Sequence, residues 1–558
     1  MPDLRLLNAE PSDAERFAID NVLGAANGEV LLKGGGRTAR DDRTKRHLLL
    51  PALRAAQQRV GWVSEGALGY ASRRLAVPPA EAYGVASFYA LIALEERPAD
   101  VTHVCTDLSC MLKGATVPEG AHPSPCLGLC ERAPASYRTI AGEQPVEEQI
   151  PAIGPPLPQA GQPGLRLLRR IAAGVDPESI DAYIQAGGFE SLRYARELGP
   201  EAVLREVTES RLLGRGGAAF PTGVKWEAVA KQPALPHYIV CNADESEPGT
   251  FKDRVLMEQD PFALIESMAV AALATGSSHG FIYVRAEYPL AHRRLQNAID
   301  LARSRGFLEG FDIELRIGAG AYVCGEETAL FQSIEGFRGE PRNKPPFPVE
   351  VGLHGKPTAV NNVETLFNVL EVVTDGGEAF AGIGTKDSTG TRLFCLSGAV
   401  ARPGLYELPF GATLRELLDL AGAEPPKAVL LGGAAGAFVG PDLLDLRLTY
   451  EDTRAAGVTL GSGVVIVYDE SADLVGALLR IAEFFRDESC GQCVPCRVGT
   501  VRQEEALKRL AAGRPHEGEL QTLAELAQVM QDASICGLGQ TAANAVASAI
   551  VNLRVFAA

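Results

Sequence analysis

The spacing of cysteines near the C-terminus constrains this chain more than any other feature of its sequence. Cys490, Cys493 and Cys496 follow one another as C-x2-C-x2-C, and Cys536 comes after a further 39 residues. Three thiolates in one short loop can each bind a different iron of a cubane, and a remote thiolate can bind the fourth. A zinc site more often uses paired C-x2-C knuckles. The spacing therefore favours a [4Fe–4S] cluster over zinc, in a helical region spanning 471–558.

Composition narrows the class of protein further. The 558 residues carry a net charge of −17, which argues against nucleic acid or an anionic membrane surface as a partner. The length predicts about three to five domains. The first residues lack the apolar core of a signal peptide, and no apolar stretch is long enough to span a bilayer. Eleven cysteines in such a chain indicate metal or redox use before disulfides, and we expect a cytoplasmic protein with no direct membrane insertion.

A glycine-rich segment at 214–223 and an acidic segment at 242–249 enclose one short apolar strand. Glycines let backbone amides approach a phosphate closely, whereas Asp244, Glu245 and Glu247 suit hydroxyl donors. The pair of segments fits a nucleotide that carries sugar or ribityl hydroxyls. The glycines also match G-x-G-x-x-A, but the charged residues before them are not the buried strand of an ordinary Rossmann fingerprint. A flexible glycine loop is the alternative.

Three further stretches, at 318–330, 344–348 and 360–365, complete a resemblance to a known family. In their order and content, these segments resemble the FMN- and NADH-binding core of the flavoprotein subunit of respiratory complex I. The same core occurs in the diaphorase subunits of NAD-reducing hydrogenases and NAD-dependent formate dehydrogenases. The resemblance implies a Rossmann-like FMN/NADH domain.

A second cysteine group lies in the N-terminal part of the chain. An apolar strand at 101–104 leads into Cys105 and Cys110, and Cys126 and Cys130 follow as C-x3-C. This group resembles the thioredoxin-like [2Fe–2S] subunit of complex I, in which four thiolates hold the soft irons. Only 15 residues separate Cys110 from Cys126, so the resemblance implies a shortened module. A zinc site or unrelated buried thiols are the alternatives.

The resemblance also implies roles for individual residues of the FMN/NADH domain. Phe220 and Phe347 are expected to stack on the dinucleotide, and Glu247, Glu327 and Lys344 to bind its polar groups. The residues expected to line the cavity are Tyr322, Glu245 and Glu326, and the catalytic candidates are Glu245, Glu247 and Tyr322. The other residues expected to bind cofactor are Gly214, Arg215, Gly216, Lys225, Asn242, Asp244, Ser246, Gly325, Asn361, Asn362 and Thr365. Taken singly, each polar side chain could equally be a solvated surface group.

The expected architecture is a multidomain α/β chain. Its expected parts are an N-terminal arm (1–41), a helical bundle with the shortened thioredoxin-like [2Fe–2S] module (42–145), a Pro-rich linker (146–164), the FMN/NADH domain (165–380), a β-grasp domain (385–470) and the helical [4Fe–4S] domain (471–558). The β-grasp part shows no obvious chemistry, so a structural role is expected for it.

These features predict an NAD-dependent flavin iron–sulfur oxidoreductase subunit with FMN, NAD(H), a [4Fe–4S] and a [2Fe–2S] cluster. The fused layout most resembles the β-subunit of a molybdenum- or tungsten-containing formate dehydrogenase, which implies a molybdopterin-containing large subunit as partner. A hydrogenase diaphorase and a fused complex I pair are the alternatives. A non-catalytic iron–sulfur scaffold with a decayed flavin pocket is a more distant one.

Overall fold

The computed structural model describes residues 9–24 and 45–556. Its N-terminal helices are α1 (Asp13–Leu23), α2 (Leu49–Val60), α3 (Glu65–Arg74) and α4 (Pro79–Ala86). Leu53 and Ala56 share a buried face of α2, and Gly61 ends this helix at a φ of 99°, a left-handed conformation that favours glycine. The chain does not continue as a helix after α4, because backbone amides at 90 and 91 donate to the carbonyls of 320 and 319.

Helix α1 lies inside the segment 1–41, which is expected to be an arm. That prediction is wrong for 13–23. The Ser12 hydroxyl accepts the Glu15 N–H, and the Glu15 carboxylate accepts the Ser12 N–H, which together form a capping box. Ile19 and Leu23 then pack into the same apolar core as α2. The rest of the expected arm, 1–8 and 25–41, lies outside the described residues.

The first sheet carries the N-terminal cysteine group. Its elements are β1 (Asp100–Cys105), α5 (Leu108–Leu112), β2 (His122–Ser124), β3 (Ser136–Ile140) and β4 (Val146–Ile150). The strand order is β2-β1-β3-β4, with β1 parallel to β2 and the other pairs antiparallel.

The expected Pro-rich linker therefore begins too early. Its first residues, 146–150, are strand β4, because they pair in register with β3. The remainder is mostly exposed and bonds to the β-grasp part of the chain through Gln159. Gln159 is buried there, its Nε2 donates to the Glu407 carbonyl at 3.2 Å, and its Oε1 accepts the Glu407 N–H at 2.6 Å.

A parallel sheet organises the central part of the chain. Its elements, in order, are α6 (Arg169–Ala172), α7 (Ile180–Gln185), α8 (Glu190–Leu198), α9 (Pro200–Glu209), α10 (Thr222–Ala230), β5 (His237–Ala243), α11 (Lys252–Gln259), α12 (Pro261–Thr275), β6 (Ser277–Val284), α13 (Pro289–Ser304), β7 (Asp312–Ile317), α14 (Glu327–Ile334), β8 (Thr358–Asn362), α15 (Val363–Asp375) and α16 (Gly377–Ala381). The strand order is β7-β6-β5-β8. Helix α12 is almost entirely buried and forms the centre of the core. The chain runs from β5 to β6 on one side, whereas β8 lies on the other side of β5. Because the connections diverge between β5 and β8, a crevice is expected at the carboxyl ends of these two strands.

A mixed sheet follows, as the expected β-grasp fold requires. Its elements are β9 (Thr391–Gly398), β10 (Gly404–Pro409), α17 (Leu414–Ala421), β11 (Ala428–Leu431), β12 (Ala437–Val439), α18 (Tyr450–Ala455) and β13 (Val464–Tyr468). The order is β10-β9-β13-β11-β12, with β13 parallel to β9 and the other pairs antiparallel.

The C-terminal part is helical, as predicted. Its helices are α19 (Leu474–Glu488), α20 (Val494–Ala511), α21 (Glu519–Ala533), α22 (Gly537–Thr541) and α23 (Asn544–Asn552). Among the described residues, no helix has the length and apolar character to cross a membrane. The predicted multidomain α/β fold class, with helical N- and C-terminal parts, is confirmed.

A buried ionic cluster joins the first sheet to the central one. Arg254, on α11, is fully buried, and its Nε donates to the Gly128 carbonyl at 2.9 Å. Its guanidinium also bonds to the Glu131 carboxylate and, at 2.8 Å, to Glu258. Arg132 lies 3.7 Å from the same Glu258 carboxylate. A charge in this position requires partners, because burial without them is costly.

Replacing Arg254 with Met should therefore leave two buried carboxylates, Glu131 and Glu258, to share the single charge of Arg132, and the Gly128 carbonyl without its donor. We expect a loss of about 3–5 kcal/mol of stability, seen as a lower melting temperature. Limited proteolysis should also cut the 151–164 segment faster. The control is Arg193→Met, which breaks the exposed pair with Glu197 and should leave the melting temperature unchanged. Equal melting temperatures for the two variants would contradict a role for Arg254 in joining the sheets.

Candidate functional site

The glycine-rich segment lies across the carboxyl end of β8, between the central sheet and the β-grasp sheet. A Cβ added to Gly216 would stand 3.1 Å from the Cβ of Asn362. Gly217 has a φ of 116°, and a Cβ there would stand 3.7 Å from the carbonyl carbon of Gly461. The Gly214 N–H closes the loop on the Phe220 carbonyl at 2.9 Å. A side chain at 216 would require Asn362 to shift by a few tenths of an ångström, and the positive φ of Gly217 favours glycine.

Arg215 holds this loop in place and does not present its charge to a ligand. Its guanidinium is fully buried and donates to the carbonyls of Thr389 and Thr391, at 2.7 and 3.3 Å. Its N–H donates to the Thr365 hydroxyl at 2.8 Å. This side chain points away from the crevice into the β-grasp sheet, and the expected cofactor-binding role of Arg215 stays a prediction.

The ends of β8 and α10 place polar side chains beside the loop. The Oδ1 of Asn361 accepts the Trp226 Nε1–H at 2.9 Å. The Oδ1 of Asn362 caps α15 by accepting the Glu364 N–H at 3.0 Å. Lys225 donates to the Val360 carbonyl at 2.8 Å, and burial lowers the pKa of its ammonium. Lys225 and the amino terminus of α15 bring positive potential to the loop, which suits an anion.

The acidic segment begins where β5 ends. The Asn242 side chain donates to the Gly325 carbonyl at 2.7 Å and accepts the Asp244 N–H at 3.2 Å. The Ser246 N–H donates to the Asp244 carbonyl at 3.1 Å. Oδ2 of Asp244 is buried and accepts no hydrogen bond from the described residues, and burial raises the pKa of this carboxyl well above its usual range. A buried acceptor without a donor suits a ligand hydroxyl.

Glu245 and Glu247 have different roles although only one residue separates them. The Glu245 carboxylate accepts the N–H groups of Asp253 and Arg254, at 2.8 and 2.9 Å, at the start of α11. It also accepts the Tyr288 hydroxyl at 3.1 Å. Both carboxylate oxygens therefore bond to the protein and anchor the start of α11, and the expected catalytic, cofactor-binding and cavity-lining role of Glu245 stays a prediction.

Glu247 faces the crevice. Its Oε2 accepts the Tyr322 hydroxyl at 2.6 Å, and its Oε1 accepts the N–H of Ala435 at 2.8 Å. Burial raises the pKa of Glu247 to about 7. The backbone N–H of Tyr322 donates to Glu488 at 2.8 Å, immediately before the C-terminal cysteine loop. The sequence analysis did not predict Ala435 or Glu488 as residues of the site. For Ala435, the glycine-rich run at 432–436 is the one sequence signal that could have indicated a close approach of the backbone.

Two phenylalanine rings expected to stack on the dinucleotide are exposed, and the expected polar partner Lys344 lies in an ionic group. Phe220 and Phe347 are 50 and 53% exposed, which is unusual for such large apolar side chains. Lys344 donates at 2.8 Å to both Glu326 and Glu327. The charges of Glu327 and Lys344 also act on the pKa of Lys225, after the larger effect of burial, so these groups lie within electrostatic range of the glycine loop.

Glu326 also has a structural role at this edge. One of its oxygens accepts the N–H groups of Thr328 and Ala329, at 2.8 and 2.9 Å, and so caps α14. Glu327 makes no such cap and keeps one oxygen for a ligand, since its pairing with Lys344 uses Oε1.

The N-terminal cysteines converge in a buried pocket at the end of β1. Cys105, Cys110, Cys126 and Cys130 are all buried, and the sulfurs of Cys126 and Cys130 are 3.4 Å apart. The thiols of Cys105, Cys110 and Cys126 also interact, which raises the pKa of Cys105 and lowers that of Cys126. Four thiols packed together in this way fit the ligands of a [2Fe–2S] cluster.

A single arginine connects this pocket to the acidic segment. Arg285 is buried, and its two terminal nitrogens donate at 2.7 Å to the carbonyls of Cys126 and Glu245. Glu287 neutralises it at 2.8 Å. The cysteine loop and the acidic loop are thus tied to the same side chain.

The C-terminal cysteines lie at helix starts. Cys493 directly precedes α20 and Cys536 directly precedes α22. A Cβ on Gly539 would stand 2.8 Å from the Cβ of Cys496, so the two segments touch. Burial raises the pKa of the Cys496 and Cys536 thiols to about 12 and about 11. Among the described residues, no group of three or more His, Cys, Asp or Glu side chains is close enough to hold a single metal ion.

Family models match four parts of the chain. "Thioredoxin-like [2Fe-2S] ferredoxin" matches 37–117, and "Nuo51 FMN-binding domain" matches 207–371. "SLBB domain" matches 393–434, and "NADH-ubiquinone oxidoreductase-F iron-sulfur binding region" matches 476–555.

Similar proteins of known kind come from two classes. The chain is 44% identical over 397 residues to the NADP-reducing hydrogenase subunit HndC of Solidesulfovibrio fructosivorans, which covers 69% of this chain and 81% of that protein. It is 45% identical over 393 residues to an F-type NADH-quinone oxidoreductase subunit of Rhizobium meliloti (strain 1021), covering 68% and 93%. A crystal structure of an air-oxidized NAD+-reducing [NiFe]-hydrogenase superposes with a TM-score of 0.78 at 32% identity, covering 92% of this chain and 93% of that one.

The buried carboxyl of Glu247 should make stability depend on pH. Its folded pKa, about 7, lies above the ordinary 4.5, so the stability it contributes is present below pH 4.5 and is lost as pH rises through 7. The difference corresponds to up to about 3 kcal/mol. The side chain in Glu247→Gln does not titrate, so the variant does not lose this stability as pH rises. The melting temperature of Glu247→Gln minus that of wild type should therefore increase from pH 5 to pH 8. Glu143→Gln, at an exposed position, is the control and should follow wild type at both pH values. A constant difference for Glu247→Gln would contradict a protonation change at this carboxyl.

Proposed function

The chain belongs to the family of the F-type NADH-quinone oxidoreductase subunits, and from that premise we propose how its residues divide the work of an NADH-oxidising subunit. It is an NAD-dependent flavin iron–sulfur oxidoreductase with FMN, NAD(H), [4Fe–4S] and [2Fe–2S] as cofactors. The placement of the acidic segment beside the glycine loop, with a free buried Asp244 oxygen, is the observation that carries the assignment of residues.

FMN, when bound, supplies a hydride acceptor for NADH and releases the electrons one at a time. We assign its phosphate to the amides of Gly216 and Gly217, beside Lys225 and the start of α15, since the amides at 214 and 215 already donate within the protein. Asp244 then accepts a ribityl hydroxyl, and Asn242, Ser246, Asn361 and Asn362 shape the surrounding wall. Thr365 and Arg215 keep the loop in place from behind. The 322–325 turn lies against Asp244, since a Cβ added to Gly325 would be in ordinary contact with the Asp244 carbonyl oxygen at 3.5 Å.

The dinucleotide is assigned to the mouth of the crevice. Phe220 and Phe347 offer two exposed faces for stacking, and Glu327 and Lys344 offer a charged pair for its polar part. Glu247 presents its carboxylate at the inner end, held by Tyr322. These residues orient the nicotinamide toward the flavin position and exclude water from the inner end.

The two cysteine groups are assigned to the two clusters. Cys490, Cys493, Cys496 and Cys536 hold the [4Fe–4S] cluster, and the N-terminal four hold the [2Fe–2S] cluster. Glu488 and Tyr322 connect the first of these loops to the inner end of the crevice. The alternative of a scaffold with a decayed flavin pocket is disfavoured by the intact loop, the free Asp244 oxygen and the paired Glu247.

Two observations bear on the partner subunit, and each favours a different candidate. We propose that the chain transfers electrons to or from the molybdopterin subunit of a formate dehydrogenase, which the fused layout of the sequence suggests. A hydrogenase is the second candidate, because the NAD+-reducing [NiFe]-hydrogenase chain matches nearly the whole length. Reduction of NAD+ by the co-purified complex separates them: formate-dependent activity without hydrogen-dependent activity supports the first, and the reverse supports the second.

The cofactor content of anaerobically purified protein should be one non-covalent FMN and about six irons, the sum of the two clusters. Cys493→Ser should lose about four irons and retain FMN and its reduction by NADH. Cys126→Ser should lose only the [2Fe–2S] signal in electron paramagnetic resonance. Zinc in place of iron, or an unchanged [2Fe–2S] signal in Cys126→Ser, would contradict the assignment.

The choice between NADH and NADPH should depend on Glu327. A carboxylate repels the 2′-phosphate of NADPH, so the wild type should strongly prefer NADH. Glu327→Gln leaves Lys344 free of this partner, and we expect its relative activity with NADPH to rise by about tenfold. Ferricyanide reduction measures both activities. The double variant Glu327→Gln/Lys344→Gln is the control and should lose most of this gain, because the phosphate then lacks a cation; an unchanged ratio in Glu327→Gln would remove Glu327 from this role.

A further inference from the structure

The β-grasp sheet contributes a wall to the inner end of the crevice. The loop at 432–436 joins β11 to β12 and passes directly over Glu247. Gly433 has a φ of 83°, and a Cβ there would stand 2.6 Å from both the Cγ and the Oε1 of Glu247. Only glycine allows the backbone to approach the carboxylate this closely in this conformation.

The loop also donates a hydrogen bond to one of the two carboxylate oxygens of Glu247. Oε1 of Glu247 accepts the Ala435 N–H at 2.8 Å, and Oε2 accepts the Tyr322 hydroxyl at 2.6 Å. One donor therefore comes from the central part of the chain and the other from the β-grasp part. With a donor on each oxygen, the carboxyl plane has a defined orientation, which neither donor alone would impose.

The loop is itself held from behind by α23. The Asn544 side chain donates to the Ala435 carbonyl at 3.1 Å. Ser548 accepts the Phe438 N–H and Asn552 donates to the Phe438 carbonyl, both at 2.9 Å. These bonds place the loop in a rigid setting, so a small change at Gly433 must be absorbed by the Glu247 side chain.

A second contact shows that the β-grasp sheet covers the same crevice elsewhere. The hydroxyls of Thr250 and Ser462 are 2.8 Å apart, and Gly217 of the glycine loop lies against Gly461. The β-grasp part therefore meets the glycine loop as well as the residue that follows the acidic segment.

We propose that the loop at 432–436 is a positioning element of the NADH site, in which Gly433 and the Ala435 N–H set the orientation of the Glu247 carboxylate. This inference rests on the proposed function, since it concerns the residue assigned to the inner end of the dinucleotide site. It gives the β-grasp part a role in the reaction that its sequence did not suggest.

The test compares two glycines of the same β-grasp part. Gly433→Ala introduces a methyl group against Glu247 at positive φ, whereas Gly457→Ala introduces it at a φ of 70° with nothing within 4 Å. Steady-state NADH:ferricyanide kinetics should show a ten- to hundredfold lower kcat/KM for Gly433→Ala, mainly through KM, with FMN and iron content retained. Gly457→Ala shares the backbone strain and should keep the wild-type kcat/KM.

A double-mutant cycle then asks whether the loop acts through Glu247. Glu247→Ala removes the atoms that the new methyl group meets, so adding Gly433→Ala to it should lower kcat/KM by less than about twofold. An undiminished effect in this background would show that the loop acts otherwise and would overturn the proposal. Equal kinetics for Gly433→Ala and Gly457→Ala would overturn it as well.

If Gly433→Ala fails to fold, Asn544→Ala loosens the same loop from behind without adding atoms to the crevice. It should raise the KM for NADH, and an unchanged KM would overturn the proposal. A wild-type protein that does not oxidise NADH would instead contradict the proposed function, which keeps the two failures distinguishable.

Discussion

The parallel pairing of β5 with β8 is the constraint on which the rest of the site depends. Residues 238–242 pair in register with 358–362, so both strands end at the same edge of the sheet. The acidic segment and Asn362 therefore emerge side by side, and the glycine loop closes over them. A shift of the pairing by one residue would move each of the Asn361 and Asn362 side chains to the face of the sheet opposite to its present one. The ligand-facing chemistry follows from this register.

Buried charges then connect the modules around that edge. Arg254 and Arg285 each bond to the N-terminal cysteine loop and to the central sheet or its acidic segment. Lys252, also fully buried, lies 2.7 Å from Asp253 and 3.1 Å from Glu364. Such pairs add little net stability when compared with apolar packing, but they strongly penalise arrangements in which a partner is missing. They therefore specify how the modules sit relative to one another.

Much of the architecture could be predicted because its signals are local. The helices after 471 and the strand that leads into Cys105 each depend on patterns of neighbouring residues. The predictions of an N-terminal arm at 13–23 and of a linker at 146–150 were wrong because these two segments depend on residues that are distant in the sequence. Helix α1 depends on a capping box and on packing against α2, and β4 depends on a strand partner, neither of which a composition reveals.

The sequence alone indicated the cofactor classes, the [4Fe–4S] cluster through thiolate spacing, and FMN, NAD(H) and the [2Fe–2S] cluster through resemblance to a known family. Only the tertiary structure decided which residue serves which purpose. Glu245 and Glu247 look equivalent in sequence. In the structure, the Glu245 carboxylate bonds to the start of α11, whereas the Glu247 carboxylate faces the crevice and accepts the Tyr322 hydroxyl. Arg215 turns away because the β-grasp carbonyls at 389 and 391 lie behind it. Such roles depend on where hydrogen-bond partners from distant segments lie, and those positions exist only once the chain has folded.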